Sequence, residues 1–187
     1  MIQDFLIPFL AIGLAELGDK TQLAIFCLAS KTKRYMQLLF GVILAFIVAD
    51  GLAVLLGDFI KKSIPLEYIQ ILSGILFLAV GFWILFSDSK EEKCEIKKPF
   101  ISGFSLILIS EMGDKTQLAA ALFATNYNPL FVFIGVISSL AVLSIIVVFM
   151  GKFVMARINK KTIHYLAGIL FIIIGLASFY NNIIGFF

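Results

Sequence analysis

The sequence predicts an all-α integral membrane protein whose six transmembrane helices form two inverted three-helix repeats. Three observations carry that prediction. The chain has 187 residues, 61% of them hydrophobic, and a mean hydropathy of +1.06; a soluble domain of this size could not cover so much apolar side chain with its few polar residues. It divides into six apolar windows, about 5–29, 36–57, 67–86, 100–125, 129–151 and 162–184, each long enough to cross a hydrocarbon core about 30 Å thick, which takes roughly 20 residues. Finally, "ELGDKTQLA" at 16–24 returns as "EMGDKTQLA" at 111–119, matching at eight of nine positions.

The windows are continuous runs of Leu, Ile and Phe. Barrel strands would be shorter and would alternate apolar with polar residues, so helices are the spanning structure that keeps every backbone group bonded in lipid. The first window is too long, and too charged in its middle, for a cleavable signal peptide, and reads as a mature helix. The third ends at the polar stretch "SDSKEEKCEIKKP", closed by Pro99 at the start of the fourth. That stretch divides the chain into a first repeat (1–87), a cytoplasmic linker (88–99) and a second repeat (100–187). The copies continue beyond the nonapeptide: "GVI" at 41–43 meets "GVI" at 135–137, and "SGILFLAVG" at 73–81 meets "AGILFIIIG" at 167–175. Three spans per copy is an odd number, so the second copy enters the membrane from the opposite side, as in many secondary transporters.

Charge orients this frame. The first, third and fifth loops carry Lys31, Lys33, Arg34, Lys90, Lys93, Lys97, Lys98, Lys152, Arg157, Lys160 and Lys161; the other face has Lys61 and Lys62. The positive-inside rule places the basic loops in the cytoplasm and both termini outside. Tyr35, Tyr68, Trp83, Tyr127 and Tyr165 fall near helix ends, where aromatic belts form. Cys27 and Cys94 belong to no CxxC or Cys/His grouping and read as two thiols. His164, the only histidine, reads as an interfacial residue.

The candidate functional residues are the charges in the middle of the first and fourth windows. Glu16, Asp19 and Lys20 are the only charged residues between 5 and 29, and Glu111, Asp114 and Lys115 the only ones between 100 and 125. At roughly 2.5–3.5 kcal/mol each, six isolated charges would cost about 15–20 kcal/mol, so they must meet one another, water or a ligand in the interior. In a regular helix Glu16, Asp19 and Lys20 share a face. Gly18 and Gly113 permit a break that would also turn Thr21, Gln22, Thr116 and Gln117 inward and free backbone carbonyls; close helix packing is the other role open to them. Inversion brings both motifs to the midplane. Four carboxylates less two ammonium groups leave a formal charge of −2, which balances one divalent cation; the candidate ligands are Glu16, Asp19, Thr21, Gln22, Glu111, Asp114, Thr116 and Gln117, and their carboxylate, hydroxyl and amide oxygens suit Ca²⁺, Mn²⁺ or Mg²⁺. The structural alternative pairs Asp19 with Lys20 and Asp114 with Lys115, and leaves Glu16 and Glu111 unaccounted for. Lys20 and Lys115 read as counter-ions that tune the carboxylates or join the proton path. Asp50, opposite Ser144 in the other copy, reads as a proton site, an extra ligand or an acid hydrogen-bonded within the bundle.

Two copies of Glu-x-Gly-Asp-Lys-Thr, each in the first helix of a three-helix unit, resemble the signature of the Gdt family, also called uncharacterised protein family sixteen. The resemblance covers nearly the whole chain. It implies an exchanger of Mn²⁺ or Ca²⁺ against protons, with the cation held by Glu16, Asp19, Glu111 and Asp114 and with Thr21 and Thr116 as contributors. It implies a transporter and not an enzyme, without a prosthetic group. Its partners are then the cation, H⁺ and the bilayer, with no nucleic acid; a homodimer is left open. The expected direction is export from the cytoplasm, and the short N-terminus points to a prokaryotic plasma membrane. The competing readings are an intramembrane metal-dependent lipid phosphatase, disfavoured because Arg34 and Arg157 lie in loops far from the acids, and a passive cation channel.

Overall fold

Glycine at two equivalent positions shapes the molecule. The structure, a computed structural model, describes residues 1–63, 66–86, 98–155, 165 and 168–177, with the backbone alone for Lys20 and for a few residues of later helices. All regular structure among the described residues is helical: α1 (Ile2–Glu16), α2 (Lys20–Ser30), α3 (Tyr35–Ser63), α4 (Leu66–Phe86), α5 (Pro99–Glu111), α6 (Lys115–Asn126), α7 (Pro129–Met155) and α8 (Gly168–Ala177). The second, third and fifth windows are single helices. The first and fourth are each cut in two.

Both cuts are the same turn. Leu17 and Met112 are extended, with ψ of 108° and 114°. Gly18 and Gly113 follow at φ of 83° and 79°, the only positive values among the described residues. That left-handed region costs an L-residue with a Cβ about 1–2 kcal/mol. The bonding repeats too: the Leu17 N–H donates to Gly13 O (3.0 Å) and Asp19 N–H to Glu16 O (3.1 Å), while Met112 N–H donates to Leu108 O (3.1 Å) and Asp114 N–H to Glu111 O (3.0 Å). The expectation of one regular helical face for Glu16, Asp19 and Lys20 is therefore corrected, because the helix ends at Glu16. Of the two roles open to the glycines, the turn is the one seen. A Cβ on Gly113 would meet nothing within 4 Å, so close packing does not explain that residue.

The halves embrace by exchanging equivalent contacts. α1 lies along α7 and α5 along α3. A Cβ on Gly41 would come within 2.2 Å of the Phe100 carbonyl oxygen, and one on the corresponding Gly135 within 2.6 Å of the Phe5 carbonyl oxygen. α4 and α8 cross antiparallel through glycines: Gly81 faces the Gly168 carbonyl, and Gly175 the Gly74 carbonyl, each at 3.0 Å from the ideal Cβ. Phe77, Phe123 and Phe171 fill the space beneath, with centroids 4.9 to 6.2 Å apart. At one end Arg34, Gln37, Lys98 and Pro99 line a single cleft. Elsewhere the Lys61 ammonium donates to the Tyr127 carbonyl at 3.1 Å, joining the end of α3 to the turn between α6 and α7.

Polarity runs opposite to that of a soluble protein. Phe40, Leu44, Leu55 and Phe59 of α3, and Ile145 and Phe149 of α7, are exposed, whereas Glu16, Asp50 and Glu111 have no exposure at all. Tyr35–Ser63 and Pro129–Phe149 are long and apolar enough to cross a membrane. An apolar exterior around a polar centre is the arrangement expected in lipid. Cys27 is disulfide-bonded, which corrects its reading as a thiol; a bridge requires proximity in space, and spacing along the chain does not reveal it. Cys94, His164, most of the linker, the basic residues at 157–161 and both ends of the last window lie outside the described residues.

Candidate cation site

Each glycine turn sets one acid before it and one after it. Glu16 closes α1 and Glu111 closes α5; Asp19 follows Gly18, and Asp114 caps the start of α6 without a side-chain capping bond. One carboxylate oxygen from each of Glu16, Glu111 and Asp114 falls within 4.8 Å of the other two. Glu16 and Glu111 are fully buried and Asp114 is partly exposed. Three ionised carboxylates at that spacing repel by about 3 kcal/mol or more per pair, even at an effective dielectric constant of 20. Bound cations, protons or a neighbouring ammonium group relieve such a cluster.

Hydroxyl groups from both motifs complete it. The Thr21 hydroxyl crosses from the first motif and donates to Glu111 Oε1 at 2.7 Å. Thr116 Oγ1 lies 3.4 Å from Glu111 Oε2 and 3.4 Å from Asp114 Oδ2. Beside them Lys115 Nζ donates to Asp19 Oδ2 in a buried ion pair. That pairing runs between motifs and not between chain neighbours. It gives Asp19 a cation of the protein, and the three carboxylates grouped within 4.8 Å are those of Glu16, Glu111 and Asp114. Both oxygens of Glu16 are buried with no hydrogen-bond partner among the described residues.

The two glutamines differ. Gln117 Oε1 accepts from the Gly113 N–H at 2.8 Å, and its Nε2 donates to the Ala49 carbonyl at 3.0 Å, tying the second turn to α3. Gln22, at the same place in the first motif, is buried with neither amide atom bonded among the described residues. Asp50 is fully buried and unbonded in the same sense, with Glu16 and Asp114 as its charged neighbours. Its counterpart Ser144 returns its hydroxyl to its own helix, at 2.7 Å from the Leu140 carbonyl. The side chain of Lys20 lies outside the described atoms. Sequence reasoning missed the Lys115–Asp19 crossing and the Gln117–Ala49 tie. The expected inversion was the available signal, since it would bring the two motifs against each other.

Carboxylate and hydroxyl oxygens are hard donors, suited to Ca²⁺, Mn²⁺ or Mg²⁺. The family model described as "Divalent cation/proton antiporter GDT1" matches residues 4–92 and again 99–185, once in each half of the chain. GDT1-like protein sll0615 of Synechocystis is 30% identical over 207 residues, covering 98% of this chain and 100% of that protein. A Vibrio cholerae protein named "Putative manganese exporter" is 28% identical over 176 residues, covering 92% of this chain and 88% of its own. The protein of Saccharomyces cerevisiae named divalent cation/proton antiporter GDT1 is 37% identical over 78 residues, covering 42% of this chain and 28% of its own. No solved structure matches the chain. With the family model matched over nearly its full length, the chain belongs to the GDT1 family of divalent cation/proton antiporters.

Proposed function

We propose that the protein exports Mn²⁺ or Ca²⁺ from the cytoplasm in exchange for entering protons. Glu16, Glu111 and Asp114 hold the cation, with the hydroxyls of Thr21 and Thr116. The single observation that carries this reading is the set of three carboxylates within 4.8 Å, two of them wholly buried. A divalent cation displaces the protons those groups share, and returning protons remove its ligands. Lys115 tunes the site by holding Asp19 in an ion pair, and Asp50 serves as a further proton store beside it. An antiporter family favours transport over an intramembrane phosphatase, and the name of the Vibrio cholerae relative favours Mn²⁺ and export.

Six spans in two inverted repeats supply the two access states by rocking of one repeat against the other. The exchanged contacts of α1 with α7 and α5 with α3, and the antiparallel crossing of α4 with α8, support that reading. So does the cleft shared by Arg34 and Lys98, which sets the first basic loop beside the end of the linker. The basic loops then face the cytoplasm of a prokaryotic cell, with both termini outside. The test is purified protein in liposomes, with internal pH and Mn²⁺ or Ca²⁺ followed together. Cation uptake should drive protons the other way; uptake that ignores an imposed pH gradient would mean a passive channel and would end the antiport reading.

A further inference from the structure

Equal sequences stand in unequal states in the two motifs. The residues from Thr to Ala are identical in the two motifs, yet Gln117 is engaged at both ends of its amide and Gln22 at neither among the described residues. The turns differ in the same sense. Gly113 and Met112 are exposed, whereas Gly18 is buried and Leu17 half-buried. The Ala49 carbonyl that receives Gln117 lies on α3 of the opposite repeat. Its counterpart, ninety-four positions on, is Leu143 of α7.

We infer that Gln22 and Gln117 are alternating latches, each tying its own glycine turn to the long helix of the opposite repeat in one of the two access states. In the described state Gln117 holds the second turn against α3. In the other, Gln22 holds the first turn against the Leu143 carbonyl, and Gln117 lets go. The inference rests on the antiport reading for its two states and adds the device that distinguishes them. A buried amide with idle donor and acceptor is unfavourable in either state. Because each state idles one glutamine and engages the other, the two are balanced, and a bound cation or proton can choose between them. The latches therefore act on access without touching the cation.

Hydrogen exchange of the full chain in nanodiscs, combined with transport in liposomes, tests this. Wild type is compared at neutral pH with Mn²⁺ and at acidic pH without it; after division by the intrinsic rate at each pH, conditions that lower protection of the Gly113 amide should raise it at Gly18. Gln117→Ala should speed exchange at Gly113 and slow it at Gly18, which it does not bond. Gln22→Ala should leave Gly113 protected under both conditions and cut turnover about tenfold or more, with half-saturating Mn²⁺ within about threefold of wild type. Gln22→Leu, of similar bulk, replaces it if truncation unfolds the bundle. Faster exchange at Gly113 with no response at Gly18 would overturn the inference, as would a loss of Mn²⁺ affinity in Gln22→Ala, which would make Gln22 a ligand. A wild type that binds no divalent cation defeats the antiport reading, whereas reciprocity between the turns is scored independently.

Discussion

Replacing Gly113 by alanine isolates one physical quantity. The residue sits at φ 79° and a Cβ there meets nothing within 4 Å, so no steric clash contributes and only backbone preference remains. That preference is about 1–2 kcal/mol against an L-residue in the left-handed region. Asparagine, which tolerates this region, should lose less, and valine should lose more because it is stiff at Cβ. Thermal unfolding in detergent without cation should rank the variants glycine, asparagine, alanine, valine from most to least stable. The turn also places Asp114, so if it deforms instead of unfolding, Mn²⁺ affinity by calorimetry falls by about 5- to 30-fold, the factor equivalent to that energy. Alanine equal to glycine in both measurements, or asparagine worse than alanine, would refute the reasoning from φ.

Further outcomes follow from the same geometry. Glu16→Gln and Glu111→Gln should each weaken Mn²⁺ binding about tenfold or more in calorimetry, since ligand charge sets affinity at such sites; wild-type affinity in both would sink the shared site. Gly41→Ala should destabilise the fold by about 1–3 kcal/mol, the usual cost of overpacking, because its Cβ falls 2.2 Å from a backbone oxygen that cannot rotate away. An unchanged melting temperature would show that α3 and α5 are not held in that contact. Acid should weaken Mn²⁺ binding, by about tenfold per pH unit for each proton displaced. Asp50→Asn should reduce the protons released per cation, read by calorimetry in two buffers of different ionisation enthalpy; an unchanged count would remove Asp50 from the proton pathway.

Much of this is legible in the sequence. Hydropathy located the helices because lipid demands long apolar runs, and the price of isolated charge singled out Glu16, Asp19, Glu111 and Asp114. Helical periodicity failed at Glu16, Asp19 and Lys20, because a glycine that permits a break does not announce whether it makes one. The ion pair of Asp19 with Lys115 was hidden because neighbours in a motif look like partners until the two halves interlock. The contrast between Gln22 and Gln117 could not be read at all. The two glutamines sit in identical motifs, and the difference lies in what surrounds them, Ala49 and Asp50 on one long helix against Leu143 and Ser144 on the other.

The paired contacts of Gly41 with Phe100 and Gly135 with Phe5 bear on ancestry. Each half carries both the glycine and the phenylalanine, so each half owns both sides of the joint. Two copies of a single half, inserted in opposite directions, would therefore satisfy the same contacts. Such a homodimer would be bound to symmetry: two Asp50 equivalents or two Ser144 equivalents, never one of each. A chain of two unlike halves is free of that constraint. Asp50 opposite Ser144 is an asymmetry that a symmetric dimer could not hold.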